Sequence, residues 1–122
     1  MTENRANGTA PVTAPQHSVE GFVKEFLREL HFGQGVTLAR ASDNDQYLAL
    51  ARTVREYLMA RWLETLRRQF DAQAKSVAYL SAEYLLGRQL DNALIATDLT
   101  EIVEEGLASL GIDLATLREQ EV

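Results

Sequence analysis

Glu83 stands two residues beyond a short apolar run, Val77-Ala78-Tyr79-Leu80-Ser81, and four residues before Gly87 and Arg88. A carboxylate at the C-terminal end of a buried strand faces the crevice in which open α/β sheets bind ligands. The plainer reading is a solvated acid near a helix start, where the helix dipole favours negative charge. Arg88, beside Gly87, reads as a surface cation at a tight helix start. A second constellation, Arg67, Arg68 and Phe70, ends a long helical run. Two guanidiniums beside an aromatic ring suit a phosphate and a stacked planar group, yet cations in the last turns of a helix are also stabilised by its dipole. His31, in Glu-Leu-His-Phe-Gly, closes a helix and reads as structural for the same reason, and His17 receives no role. With no cysteine and only these two histidines, a metal site of the chain's own is not expected.

The elements that must carry these residues are mostly helical. Residues 1–17 hold both prolines and few bulky apolar side chains, so they are expected to form a mobile tail. Ser18 reads as an N-cap, followed by Val19, Phe22, Val23, Phe26, Leu27 and Leu30 at helical spacing, with an end near Gly33 and Gly35. Ser42, Asp43 and Asn44 are alternative caps for a long helix without glycine or proline as far as Gln73. Its ridge is Tyr47, Ala51, Val54, Leu58, Trp62, Leu66 and Phe70, and Leu48, Leu50, Met59 and Leu63 widen the apolar arc. Such a helix calls for cover on more than one side.

Val77 to Ser81 read as a short buried parallel strand. No second strand is visible, and buried backbone groups are almost always paired, so its partners are expected in another chain or beyond residue 122. A third helix is expected from Leu85 to about Thr97. A fourth carries Leu99, Ile102, Val103, Leu107 and Leu110 and closes at Gly111, and Asp113 caps a last turn with Leu114 and Leu117.

Of the 122 residues, 46% are hydrophobic and 25% charged, a globular composition. No apolar run approaches the roughly 20 residues of a membrane span. The N-terminus has neither a cationic start nor an apolar segment of the secretory kind, so a cytoplasmic location is expected and no membrane partner. Beyond residue 97, seven acids face Arg118 alone and carry the whole net charge of -6. The balanced remainder shows no basic stripe, which argues against a nucleic-acid partner.

The residues from Tyr47 to Trp62 and from Tyr79 to Asn92 form a recognisable pattern. Ala49, Leu50, Ala51, Thr53, Val54 and Arg55, then Tyr79, Leu80, Ser81, Glu83, Tyr84, Gly87 and Arg88, together with Leu30-His31-Phe32, resemble the N-terminal region of the glycogen/starch/maltodextrin phosphorylases. The resemblance covers about residues 18–122. It implies an enzyme that uses inorganic phosphate to release terminal glucose from α-1,4-glucans as glucose 1-phosphate, with pyridoxal phosphate as cofactor. It also implies a homodimer, and a whole enzyme of two facing Rossmann-like domains of the GT-B type.

On this basis the chain is expected to be mostly α with one short β-strand. It would comprise a tail over 1–17 and an incomplete helical segment of the first phosphorylase domain over 18–122. The resemblance places Glu83 and Arg88 on the wall of the catalytic cleft, Glu83 in a supporting or substrate-positioning role, with Leu85 where many members carry tyrosine. Neither Lys24 nor Lys75 matches the lysine that forms the Schiff base. That lysine, the glycine-rich loop and the phosphate-holding residues are expected beyond Val122, so this chain alone should bind no pyridoxal phosphate and catalyse nothing.

In nucleotide-activated members the long helix and the loop before it build an effector site across the dimer. The corresponding positions here are Thr37 for an aspartate, Leu66 and Arg67 for two glutamines, and Phe70 for a tyrosine. Stacking is retained and the polar contacts are not, so nucleotide activation of the animal-enzyme kind is not expected, nor is phosphorylation at Ser18, which lacks an Arg-x-x-Ser context. The alternative reading is a standalone helical interaction or regulatory module derived from this family.

Overall fold

The computed structural model describes residues 13–83 and 87–122. Their architecture is five α-helices: α1 (Val19–Arg28), α2 (Asp43–Asp71), α3 (Leu90–Thr97), α4 (Thr100–Ser109) and α5 (Leu114–Arg118). A π-helical turn, Glu29–Gly33, extends α1, and a 3-10 turn, Leu38–Arg40, precedes α2.

Local chemistry sets most of these boundaries. Ser18 Oγ accepts from Gly21 N at 3.0 Å and starts α1. Phe22, Phe26 and Leu30, spaced by four, are fully buried on one face. The π turn closes with Gln34 N donating to Glu29 O, and Gly35, at φ +71°, then lets Val36 N reach Leu30 O. At α2, Ser42 and Asp45 form a reciprocal capping box, Asp45 N to Ser42 Oγ at 3.1 Å and Ser42 N to Asp45 Oδ2 at 2.9 Å. Asp113 accepts from Ala115 N and starts α5.

The core gathers one face of each helix. Phe22, Phe26, Leu50, Val54, Leu94, Leu99, Val103, Leu107 and Leu117 are among its buried members. Between α3 and α4 the chain reverses through Asp98 in the left-handed region, φ 56°, and Leu99 N bonds back to Leu94 O at 2.9 Å, which sets the Leu99 side chain into the core. The α2 helix, 29 residues and about 44 Å long, reaches well past this core. Its buried residues, Ala49, Leu50, Thr53, Val54 and Tyr57, all lie in the first half. The lower part of the expected ridge is open: Trp62 is 57% and Phe70 85% exposed.

The expected strand is corrected. No described residue lies in a strand, and residues 74–83 follow α2 as an irregular segment in which Val77 is 94% and Leu80 90% exposed. The apolar side chains there have nothing to pack against. A single segment also finds no neighbour to pair its N–H and C=O groups, so water satisfies them and no ladder forms. The described residues are therefore all α. The third helix starts at Leu90 rather than Leu85, with 87–89 non-helical. Residues 1–12 of the expected tail, and the readings that fall on Tyr84 and Leu85, lie outside the described residues.

Candidate functional site

The two cleft-wall candidates flank the undescribed residues 84–86. Glu83 and Arg88 are both exposed. Ser81 Oγ donates to Glu83 O at 2.7 Å and accepts from Glu83 N at 3.3 Å, a local turn that leaves the Glu83 carboxylate with no hydrogen-bond partner among the described residues. Arg88 Nη1 lies 3.5 Å from Glu119 Oε1, an exposed pair of little energetic weight.

The effector candidates do not converge within one chain. Thr37 precedes the 3-10 turn and its carbonyl accepts from Arg40 N, whereas Arg67, Arg68 and Phe70 occupy the last turns of α2. Nearly the length of a long helix separates them. The two arginines are also engaged: Arg67 grips Glu64 through Nε at 3.0 Å and Nη2 at 2.9 Å and reaches Asp71 at 3.2 Å, while Arg68 Nε donates to Glu64 at 2.9 Å. Hydrogen bonds from Arg67 and then Arg68 hold the Glu64 carboxyl down at about 2. Glu64 and Asp71, overlooked in the sequence, sit three or four residues from the arginines, the spacing at which side chains meet on a helix.

What these residues share is an apolar surface. Trp62, Leu63, Leu66 and Phe70 are exposed along the second half of α2, and Val77, Tyr79 and Leu80 continue the exposed set in the segment that follows. Exposed apolar groups in such number mark a surface made to be covered.

From its middle at Tyr57 onward, α2 borders a cleft of about 650 Å³ lined by His17, Tyr57, Arg61, Glu64, Arg68 and Asp98 among others. Its polar groups serve the fold. Arg61 donates to Ala96 O at 2.7 Å and Thr97 O at 3.1 Å, capping the carbonyl end of α3. His17, given no role from the sequence, places Nε2 3.1 Å from the same Thr97 carbonyl, and Tyr57 Oη donates to Gln16 O at 2.7 Å. Burial, and then Glu25 and Glu56, push the Tyr57 phenol up. His31 lies exposed in the π turn.

The described residues do not fit pyridoxal phosphate. The cofactor needs an amine within an enclosed site for its aldehyde, but Lys24 and Lys75, the chain's only lysines, are both exposed. Among the described residues no group of three His, Cys, Asp or Glu side chains is placed to hold a metal ion, and no helix is long and apolar enough to cross a membrane.

Fold and surface together define a helical segment with one closed core and one uncovered apolar flank. No family model matches the chain. Over 98 residues, 80% of its length, it is 40% identical to the brain form of glycogen phosphorylase from Bos taurus, and equally to the liver form from Homo sapiens. The muscle form from Mus musculus is 36% identical over 104 residues, 85% of the chain. The matched part is 12% of the length of each of these relatives. The chain belongs to the glycogen phosphorylases as an N-terminal segment of that family.

Proposed function

We propose that this chain is the N-terminal portion of an α-1,4-glucan phosphorylase, a glycosyltransferase that releases terminal glucose as glucose 1-phosphate with inorganic phosphate. The identity of 40% over 80% of the chain carries this reading. The uncovered flank of α2 and the segment after it support it, since a piece of a larger domain leaves its unpaired apolar face outward. Pyridoxal phosphate is then held by residues outside this chain, and Glu83 and Arg88 contribute to one wall of the cleft. The whole enzyme works in the cytoplasm as a homodimer, in which Thr37 of one chain approaches Arg67, Arg68 and Phe70 of the other. That pairing bridges the separation found within one chain.

A chimera tests this, with the chain replacing the matched segment of the Bos taurus brain form. It is expected to bind pyridoxal phosphate and to release glucose 1-phosphate from glycogen and phosphate, while the isolated chain does neither. A folded, cofactor-loaded chimera without phosphorolysis would overturn the reading.

The closed core formed by α1 to α5 favours one second reading, a standalone helical interaction module. Sedimentation of the isolated chain with and without glucan distinguishes it: a folded monomer that binds glucan supports the module, and an aggregated or unfolded chain sinks it.

A further inference from the structure

From the end of α2 to the start of α3 the described chain has few ties to the bundle. Ala72, Gln73 and Ala74 bond back to α2 itself, and among the described residues the Ser81 side chain bonds only to Glu83. The hydrogen bonds that reach the rest of the fold, among the described residues, come from Arg88 and Gln89. Arg88 meets Glu119, and Gln89 N donates to Glu121 Oε1 at 2.6 Å. Leu90 N donates to both Glu121 oxygens at 3.1 Å.

The N-cap position of α3, Gln89, makes no side-chain cap bond. Glu121, over thirty positions along the chain, supplies the acceptor instead. Its carboxylate satisfies two backbone donors that a helix start leaves open and complements the positive end of the dipole. Next to it, Arg118 Nε lies 2.7 Å from Asp91 Oδ1. Residues 88–91 are thus clasped to residues 118–121. Glu121 also borders a small cleft of about 170 Å³ with Tyr47, Arg55, Leu58 and Leu90. Burial, and then the Glu121 charge, raise the Tyr47 phenol, which agrees with a carboxylate seated between α2 and α3.

We infer that Glu121 is a positioning residue for the cleft wall: by capping α3 through backbone N–H groups, it fixes where Arg88 leaves the bundle. The inference rests on the phosphorylase reading above. Glu121 touches no reacting atom and acts through the backbone at Gln89 and Leu90.

Three variants test it: Glu121→Ala, Glu121→Gln, which keeps one acceptor oxygen, and Asp113→Ala, which removes the cap of α5 without touching residues 87–90. In this chain, amide exchange at Gln89 and Leu90 is expected to quicken roughly tenfold in Glu121→Ala, the scale of a lost N-cap. It should quicken less in Glu121→Gln and not at all in Asp113→Ala. In the chimera, kcat for glucose 1-phosphate release should fall about tenfold in Glu121→Ala with KM for phosphate within about twofold, the signature of an interaction that matters in the transition state. Glu121→Gln should recover part of the loss, and Asp113→Ala should keep the full rate. Unchanged exchange, an unchanged kcat in Glu121→Ala, or an equal loss in Asp113→Ala would each overturn the inference. An unsubstituted chimera that loads cofactor yet releases no glucose 1-phosphate would refute the phosphorylase reading instead, and the exchange measurement would still judge the clasp.

Discussion

The ring of Phe22 occupies the space a side chain at Gly106 would need: a Cβ there would stand 2.5 Å from Phe22 Cδ1 and 3.2 Å from Val23 Cγ2. This close approach is how α1 and α4 pack, and Phe22, fully buried, has no free direction in which to yield. Gly106→Ala sets two effects against each other. Alanine gains about 1 kcal/mol of helix propensity, whereas overpacking a closed core costs about 1–3 kcal/mol. The clash wins, and a net loss of about 1 kcal/mol is expected as a lower urea midpoint with unchanged slope.

Phe26 and Phe70 make a controlled pair, one fully buried and the other largely exposed. Phe26→Ala should cost about 3–5 kcal/mol in the isolated chain. Phe70→Ala should stay within about 0.5 kcal/mol there. In the chimera the second substitution should lower the yield of folded protein, because the flank is covered only when the remaining polypeptide is present. Thermal melts of both forms check the contrast, and an equal loss in the isolated chain would count against an uncovered flank.

Glu64 sets a pH dependence whose sign follows from its partners. Arg67 and Arg68 depress its carboxyl from 4.5 to about 2. A depressed acid contributes stability that is fully present above its unfolded value, declines below 4.5 and is lost as pH falls through about 2. An NMR titration of the side-chain carbonyl should give a midpoint near 2 that rises with added salt, since the pairs are exposed. In Glu64→Gln, the helical signal at the end of α2 should no longer change across that acid window through this group.

Asp98 holds a left-handed φ of 56° at the end of α3 and makes no side-chain hydrogen bond among the described residues. Glycine accepts this conformation without the Cβ penalty, so Asp98→Gly should stabilise the chain by about 1 kcal/mol. A raised thermal midpoint is the expected result. A lower one would mean that the carboxylate has a partner this geometry does not show.

The parts of the fold legible in the sequence are those decided within a few residues. Ser18, Ser42 and Asp113 act as caps because a side-chain oxygen reaches a backbone N–H two or three positions ahead, and Gly35 and Gly111 end their turns at positive φ. The strand expected over Val77 to Ser81 does not form, because a short apolar run has no conformation of its own without a neighbour to pair with. The ion pairs that engage Arg67 and Arg68 were open to reading, since Glu64 and Asp71 lie at helical spacing. The cap from Glu121 was not, because nothing local ties residue 121 to residue 89.

The sequence by itself therefore determined the helices, most of their ends though not the start of α3, and, through the motifs around Ala49 to Arg55 and Tyr79 to Arg88, the family. Those features depend on covalent neighbours and periodicity, which the order of residues already contains. Only the tertiary structure decided which half of α2 is covered, that Phe22 lies against Gly106, and that an acid of the last residues caps α3. Each of these depends on which distant groups meet when apolar faces close on one another, and no local rule specifies that meeting.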